Sequence, residues 1–484
     1  MAATSPSEAV PATDVVGRIE THGVDFIPEE ERHSRPSELW YVFVAGNLAF
    51  SVIVFGWLPI VFGLGWWSAV TSILVGNALG AIMAAPLALF GPRTGTNGVV
   101  SSGAHFGVRG RLVGTLLQIA FSLLYAAISI WTGGDALVAS ATRLVGTPDG
   151  DVTRALGYAV MALVIVAVAV YGHATLIALQ RVLLPILAAL IALGVVALGD
   201  DFDPGYAGGE YLLGGFWATW ALAVVVAAAG PISYAGLLSD YTRYVSRARH
   251  SDADIFLAAA GSIFVGLVLA SLFGAFTATT LADLETDYVP ALIAEVPGWY
   301  VLAILLVGVL GGISQGVINL YDTGLSTDSL IPRLTRAQAT VLASLAAIAL
   351  VYAGTVVFDA VDSITAATLL LNACAVPWVT VMVLGLVVRR GRYDPQALQV
   401  FNEGRSGGAY WFTAGFNLRA VAAWAIGSAV GLLCVQSELY TGRWADVARG
   451  IDVTIPASGL TAAAVYLVLL ALVPERLPAP APAR

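Results

Sequence analysis

The sequence is poor in charged residues and contains no lysine. Only 11% of its 484 residues are charged, whereas 58% are hydrophobic. About a quarter of the residues in a soluble domain are charged. So few charges cannot cover the surface of a soluble protein of this length, and we expect the lipid bilayer to be its solvent. The net charge of -9 argues against a nucleic-acid partner.

Cysteine and histidine are also scarce. The two cysteines, Cys374 and Cys434, offer neither a disulfide framework nor metal-ligand spacing. The five histidines fall in predicted loops or at the edges of predicted spans, and none pairs with another at metal-binding spacing. Nucleophile, phosphate-loop and dinucleotide motifs are missing too. We therefore expect no catalytic residues, no cofactor and no obligate protein partner.

Long apolar runs recur along the chain. About 20 apolar residues cross the hydrocarbon core as a helix. Runs of about this length occupy twelve stretches: 40–62, 68–90, 114–142, 155–172, 178–198, 214–238, 255–281, 299–322, 337–357, 361–388, 412–436 and 453–473. Residues 1–39 are polar, lack the apolar core of a secretory signal, and are expected to form a tail. The Pro- and Ala-rich residues 474–484 are expected to be disordered.

The distribution of arginine predicts the orientation. With the N-terminus inside, the outside loops hold only four of the 23 basic residues: Arg143, Arg154, Arg443 and Arg449. Because basic loops stay in the cytoplasm, both termini are predicted to be cytoplasmic, in a multi-pass protein of the cell membrane. No loop is long enough for a soluble domain, so the function must lie within the helix bundle. This architecture is typical of a secondary transporter.

The first and sixth spans contain helix-breaking residues. The first has Gly46, Gly56 and Pro59, and the sixth has Gly230-Pro231, where we expect a break. Transporters bind substrate at discontinuous helices near the membrane midplane. The five-span separation predicts inverted repeats of about 40–198 and 214–388 in a core of 40–395, followed by two additional helices in 396–473. Kinks without function are the alternative.

Trp131 and Asp135 are the most informative residues of the third span. They lie four positions apart and therefore share one face of a helix. A carboxylate within the membrane costs about 2.5–3.5 kcal/mol and usually serves function. The indole can stack on a flat ring and the carboxylate can accept its N–H groups, so the pair predicts a heterocycle site. Burial favours a protonated carboxyl, which makes Asp135 a candidate proton carrier; pairing with Arg143, or hydration near the outer end, is the alternative.

Polar side chains in three other spans complete the predicted site. An amide both donates and accepts hydrogen bonds, as a nucleobase edge does. Packing between helices is the alternative role for such groups. The candidates for substrate contact are Asn47 and Ser51 in the first span, Ser233 and Tyr234 after the expected sixth-span break, and Gln315 and Asn319 in the eighth.

Three motifs, in this order, resemble those of the nucleobase–cation symporters. Gly91–Gly95 with Phe106–Gly110 is similar to the loop after the family's second helix. Asp240–Tyr244 is similar to the signature after its sixth helix, and Arg389–Tyr393 to the basic motif after its tenth. The resemblance covers roughly residues 36–395, and the purine–cytosine permease branch is the most similar.

The resemblance implies twelve helices in a five-plus-five inverted-repeat fold, with helices 1 and 6 broken. It implies inward transport of purines, pyrimidines, hydantoins, allantoin or related rings with Na⁺ or H⁺. It assigns Trp131, Asp135 and Asn319 to substrate contact. It also implies a possible Na⁺ site formed by carbonyls near Ala45 and Leu48 and by the hydroxyl of Ser314.

The sequence departs from the family pattern at three positions. The family's stacking Trp of the sixth helix falls at Pro231, and Tyr234 is the nearest aromatic replacement. Ile313 occupies one of the two hydroxyl positions of the Na⁺ site. Asp135 stands where the family more often has an amide. The last two departures favour H⁺ as the coupling ion.

These observations predict an importer of nucleobases or related heterocycles that works by symport with H⁺ or Na⁺. Cytosine and purines are the expected substrates, and allantoin and hydantoin are possible ones. A symporter of the same fold for an amine, an amino acid or a vitamin precursor is the alternative, with Asp135 paired to the ligand's cation. A membrane enzyme or a channel is a third reading, but the sequence offers no cluster of catalytic side chains.

Overall fold

The protein is a bundle of helices. The structure is a computed structural model that describes residues 16–17, 23–284, 287–331, 334, 336–357, 360–437 and 439–475. Among these residues there is no β-strand longer than an isolated bridge. The expected disordered tail, 474–484, falls almost entirely outside the described residues, as does the beginning of the polar N-terminal segment.

The helices of the first half run from the first broken span to the fifth predicted span. They are α1 (Glu38–Asn47), α2 (Phe50–Val61), α3 (Trp66–Ala84), α4 (Phe90–Thr94), α5 (Gly98–Phe106), α6 (Leu112–Val145), α7 (Asp151–Ala169) and α8 (His173–Leu198).

The second half begins with the sixth span. Its helices are α9 (Phe216–Ser233), α10 (Leu238–Thr242), α11 (Asp252–Ala278), α12 (Tyr288–Glu295), α13 (Val301–Leu330), α14 (Arg336–Val357), α15 (Ala360–Val388), α16 (Pro395–Gln399), α17 (Leu418–Cys434) and α18 (Thr454–Leu472). Short 3₁₀ turns at Glu29–Glu31, Ala85–Leu89, Gly298–Tyr300 and Ala445–Ala448 join some of them.

Nine helical segments among the described residues are long and apolar enough to cross a membrane, and the bent pair α1 and α2 makes a tenth. Only helices satisfy every backbone group within a single segment in lipid, so these apolar runs fold as predicted. Two further apolar helical stretches, 338–353 and α17, are shorter. They coincide with the ninth and eleventh predicted runs, and the total of twelve spans stays a prediction. The boundaries of the two repeats and of the core also stay predictions.

The prediction of a broken first span is confirmed. α1 and α2 meet at an angle of 58°. The helix ends because Ala49 has extended backbone, with φ -139° and ψ 150°. α13 packs closely on this point, since a Cβ on Gly311 would lie 2.7 Å from the carbonyl oxygen of Leu48. Neither Leu48 nor Ala49 is a helix breaker by type, so the close packing contributes to the position of the break.

The sixth span is broken too, but the predicted break at Gly230-Pro231 is one turn too early. α9 continues through Pro231 to Ser233, and the interruption spans 234–237 before α10 begins. Within the interruption, backbone N–H groups donate to carbonyls three residues earlier instead of four. The Tyr234 N–H, for example, donates to the Pro231 carbonyl. Gln118 of α6 packs against this interruption, since a Cβ on Gly236 would lie 2.0 Å from its side chain.

The broken spans lie beside a central pair of long helices. α6 and α13 pack along each other, and α1 and α2 contact both α13 and α11. α9 lies against α3, whereas α17 and α18 pack on each other and on α15 at the side of the bundle. Glycines permit the closest approaches, as where Gly274 of α11 faces the carbonyl of Ile53 in α2. The core therefore brings both interruptions to the same side of α13.

Candidate functional site

A buried polar network joins the two interruptions to α13. The Tyr234 hydroxyl, at the start of the sixth-span break, donates to Oδ1 of Asn47 at 2.6 Å. It accepts from Nε2 of Gln315 at 3.1 Å. All three side chains are at most 2% exposed. The end of α1, the break after α9 and the middle of α13 are thus connected through one hydroxyl group and two amides.

Other predicted site residues surround this network. Asn319 lies one turn from Gln315 and donates to its backbone carbonyl at 2.9 Å. Ser233 donates to the carbonyl of Gly230 at 2.7 Å. Ser51, in α2, is fully buried, and its hydroxyl has no hydrogen-bond partner among the described residues. Six of the eight predicted substrate contacts therefore belong to the broken spans or the facing part of α13.

The other two predicted contacts have different surroundings. Trp131 lines an apolar groove of about 630 Å³ between α6, α14 and α15. Asp135 is 4% exposed and accepts a hydrogen bond of 2.7 Å from the hydroxyl of Tyr158 in α7. Arg154, rather than Arg143, is the arginine within electrostatic range of Asp135. The structure does not bring this pair into contact with the network at the breaks, so its contact with substrate stays a prediction.

The central face of α6 carries a residue that sequence reasoning missed. Tyr125 is buried, and its hydroxyl lies beside the side chain of Ser233. Its ring packs on Phe55 of α2 at a centroid distance of 5.7 Å, and the Tyr234 hydroxyl is among its electrostatic neighbours. An α-helix has 3.6 residues per turn, so two residues six positions apart project from different sides of it. Trp131 therefore does not share the side of α6 on which Tyr125 lies. Tyr125 is therefore the α6 aromatic that belongs to the centre.

The sequence contains a pattern that marks the central face of α6. Gln118, Ser122, Tyr125 and Ser129 follow a spacing of four, three and four, which puts them on one side of a helix. Gln118 donates to the carbonyl of Ser233 at 3.3 Å. The polar stripe along α6 thus marks the side that meets the broken sixth span.

The predicted ion-coupling residues are only partly assembled. Ala45 and Leu48 lie at the first-span break, where the Leu48 N–H donates to the Ala45 carbonyl at 3.2 Å. Ser314 instead donates to Oε1 of Gln180 in α8 at 2.5 Å, and Gln180 donates back to the Ser314 carbonyl at 3.0 Å. Gln180 is a fully buried partner that the sequence did not indicate. Oxygen ligands suit Na⁺, and a hydroxyl group that donates its hydrogen to Gln180 can still offer its oxygen.

The arrangement can recognise a small polar ring. Tyrosine rings offer faces for stacking, while the amides of Asn47 and Gln315 can both donate and accept. These groups bond to one another, so a ligand that bonds to the same amides also acts on the contacts between α1, the sixth-span break and α13. Binding at this point would therefore change how the broken helices pack, which is what a transport site needs.

Comparison with known proteins places this geometry in context. A family model described as permease for cytosine/purines, uracil, thiamine, allantoin matches residues 26–455. A Bacillus subtilis protein, YxlA, named as a purine-cytosine permease, is 23% identical over 461 residues, covering 94% of this chain and 96% of its own length.

Solved structures show the same fold. Mhp1, a nucleobase-cation-symport-1 family transporter in a closed conformation with bromovinylhydantoin bound, matches with a TM-score of 0.74 and 18% identity, over 93% of this chain and 95% of its own. A Na⁺-coupled sialic acid symporter matches with a TM-score of 0.60 and 12% identity, over 92% of each chain. The fold is thus the five-plus-five fold of these transporters. Because the family model spans most of the sequence, the chain belongs to the family of permeases for cytosine/purines, uracil, thiamine and allantoin.

Proposed function

We propose that this chain imports a nucleobase or a related heterocycle by symport with a cation, H⁺ or Na⁺, across the cell membrane. The observation that carries the proposal is the Tyr234 hydroxyl, which joins amides from α1 and α13 at the break of the sixth span. Family membership supports the ligand class, and the hydantoin bound to Mhp1 is a ring of similar size and polarity.

The proposed substrate site is the network at the breaks. Asn47, Gln315 and Asn319 supply hydrogen bonds, and Tyr125 and Tyr234 supply aromatic faces. Tyr234 would then supply the stacking face that the family's sixth-helix Trp, which this sequence lacks, would otherwise supply. Two-sided stacking on the substrate would occur between α6 and the sixth-span break, with the amides reading the ring edge.

Cation coupling and orientation belong to the same proposal. The sialic acid symporter and Mhp1 are named as cation-coupled proteins. Ile313 occupies one of the two hydroxyl positions of the family's Na⁺ site, which leaves fewer oxygen ligands for Na⁺ near Ala45 and Leu48. We favour H⁺ for that reason. The arginine distribution supports cytoplasmic termini.

Uptake into cells that lack their own permeases tests the function. Cells producing the protein should accumulate at least one of radiolabelled cytosine, adenine, hypoxanthine, uracil, allantoin, hydantoin and thiamine above the level of vector controls. A protonophore should abolish the accumulation if H⁺ drives it, and replacement of Na⁺ should do so if Na⁺ drives it. Absence of uptake of every compound by protein that is folded and in the membrane would contradict the proposal.

A substitution at Trp131 tests the contact predicted from sequence. If the indole stacks on the substrate, Trp131→Ala should weaken binding by about 1–3 kcal/mol, by analogy with the loss of a base–aromatic stack. Binding is measured by titration of the purified protein with the compound that uptake identifies. An unchanged affinity would place Trp131 outside the substrate site, as part of the groove between α6, α14 and α15.

A further inference from the structure

Two buried carboxyl groups lie next to each other where α10 meets α13. Asp240 of α10 and Asp322 of α13 are each 1% exposed, and their carboxyl groups are adjacent. Two adjacent carboxylates cannot both stay ionised without strong repulsion, and burial adds the cost of removing each charge from water. The two carboxyl groups of such a pair titrate as one unit.

The hydrogen-bond donors around the pair are unequal. Oδ2 of Asp322 accepts from Nε2 of Gln118 at 3.0 Å and also from the hydroxyl of Ser122. Oδ1 of Asp240 accepts from the Gly98 N–H at 3.1 Å, but its Oδ2 is buried without a hydrogen-bond partner among the described residues. A buried acceptor left alone is costly. A proton on this oxygen converts it into a donor for the neighbouring Asp322.

The charges facing the pair also favour one bound proton. Arg243, fully buried just after α10, is the cation beside Asp240. Each carboxyl group that ionises adds a buried negative charge, and one bound proton reduces the charge of the pair from two to one. Burial strongly favours the smaller charge.

Among the described residues, the other titratable groups on the surrounding elements have contacts of their own. The tyrosines around the pair are Tyr234, Tyr241 and Tyr321. The charged or titratable side chains on the helices around the pair contact other residues. Arg93 of α4 bonds to Asp252, His105 of α5 to Tyr393, and Arg111 before α6 to Asn402. Asp328 of α13 lies beside Gly23 and Arg111.

The pair is mechanically connected to the substrate site. Gln118 donates to Asp322 and to the carbonyl of Ser233, the last residue of α9. The next residue, Tyr234, belongs to the network at the breaks. A change in the charge of the pair therefore acts where Asp240 of α10 meets Asp322 of α13, beside the sixth-span interruption, and α6 is linked to this point through Gln118 and Ser122.

We propose that Asp240 and Asp322 form the proton-binding site that couples transport to a proton gradient. The step is the binding of one H⁺ to the carboxylate of Asp240, which then donates to Asp322 and holds α10 against α13. Loss of the proton to water restores two adjacent negative charges and separates α10 from α13. The role of the pair in transport rests on the proposed function. The coupling proton is thereby assigned to Asp240 and Asp322, whereas the sequence predicted Asp135 as its carrier.

Infrared difference spectroscopy tests the proton site without any substrate. The wild-type protein in lipid vesicles should show the carbonyl band of a protonated carboxylic acid that disappears on titration to alkaline pH. In Asp240→Asn and in Asp322→Asn that titration should be lost or displaced. Asp452→Asn is the control, because Asp452 is also a buried carboxyl but lies before α18. A band that titrates identically in wild type and in both variants would overturn the proton site.

Transport by vesicles tests the coupling. With a compound identified by uptake, Asp240→Asn should still exchange labelled for unlabelled substrate but lose accumulation driven by a pH gradient, while Asp452→Asn accumulates normally. Accumulation by Asp240→Asn that follows the pH gradient as in wild type would overturn the coupling role. If the wild type carries no compound of the panel, the proposed function fails, and the infrared titration still decides whether the pair holds a proton.

Discussion

Tyr234→Phe should weaken substrate binding about tenfold or more, which corresponds to about 1.4 kcal/mol. The substitution removes one hydroxyl group and leaves Oδ1 of Asn47 and Nε2 of Gln315 without the partner that holds them. Each buried polar group left alone costs about 1–3 kcal/mol. The two amides will therefore turn to other partners, and the ring edge of the substrate will lose the geometry that recognises it.

Tyr300→Phe is the matched control for this change. Tyr300 is also fully buried, and its hydroxyl donates to the Leu190 carbonyl at 2.8 Å, away from the broken spans. Both variants lose a buried hydroxyl group, so both should melt at a lower temperature. Only Tyr234→Phe should lose affinity in a binding titration. Equal affinities in the two variants would remove Tyr234 from the site.

Gly56→Val should prevent the protein from folding. A Cβ on Gly56 of α2 would lie 1.8 Å from the carbonyl oxygen of Ser271 in α11, and the obstacle is backbone that no rotamer change can move. Overpacking of a core costs about 1–3 kcal/mol where side chains can adjust, and the cost here should exceed that range. The two helices would have to separate along the first broken span. Size-exclusion chromatography of the solubilised protein should show aggregate instead of a single folded peak.

Gly103→Ala is the control for this prediction. Its Cβ would meet only ordinary contacts, at 3.5 Å or more, in the short helix α5. Alanine is favoured over glycine in a helix by about 1 kcal/mol, so this variant should fold at least as well as wild type. A folded Gly56→Val protein with the same melting temperature as Gly103→Ala would show that α2 and α11 do not pack as described.

The spans and the existence of both breaks could be predicted because their signals are local. A run of about 20 apolar residues has few alternatives to a membrane helix, and Pro231 loosens the helix in which it lies. The exact place of the sixth-span break could not be predicted. The interruption packs against Gln118, which lies in another helix, and a contact of this kind has no local signal in the sequence.

The members of the network at the breaks were predictable in part. Asn47, Tyr234 and Gln315 could be selected because each is polar or aromatic beside a predicted break or in the apolar eighth span. The orientation of α6 could not be obtained from the spacing of Trp131 and Asp135, since periodicity gives a shared face but not the neighbour of that face. The reciprocal pair of Ser314 and Gln180 depends on the packing of α8 against α13, for which the sequence offers no signal.

A cryo-EM map of the protein with its transported ligand is the most direct test of the substrate site. The account predicts ligand density at the two helix breaks, in contact with Asn47, Tyr234 and Gln315 and beside the ring of Tyr125. Density in the groove between α6, α14 and α15, without contact to those four side chains, would contradict it.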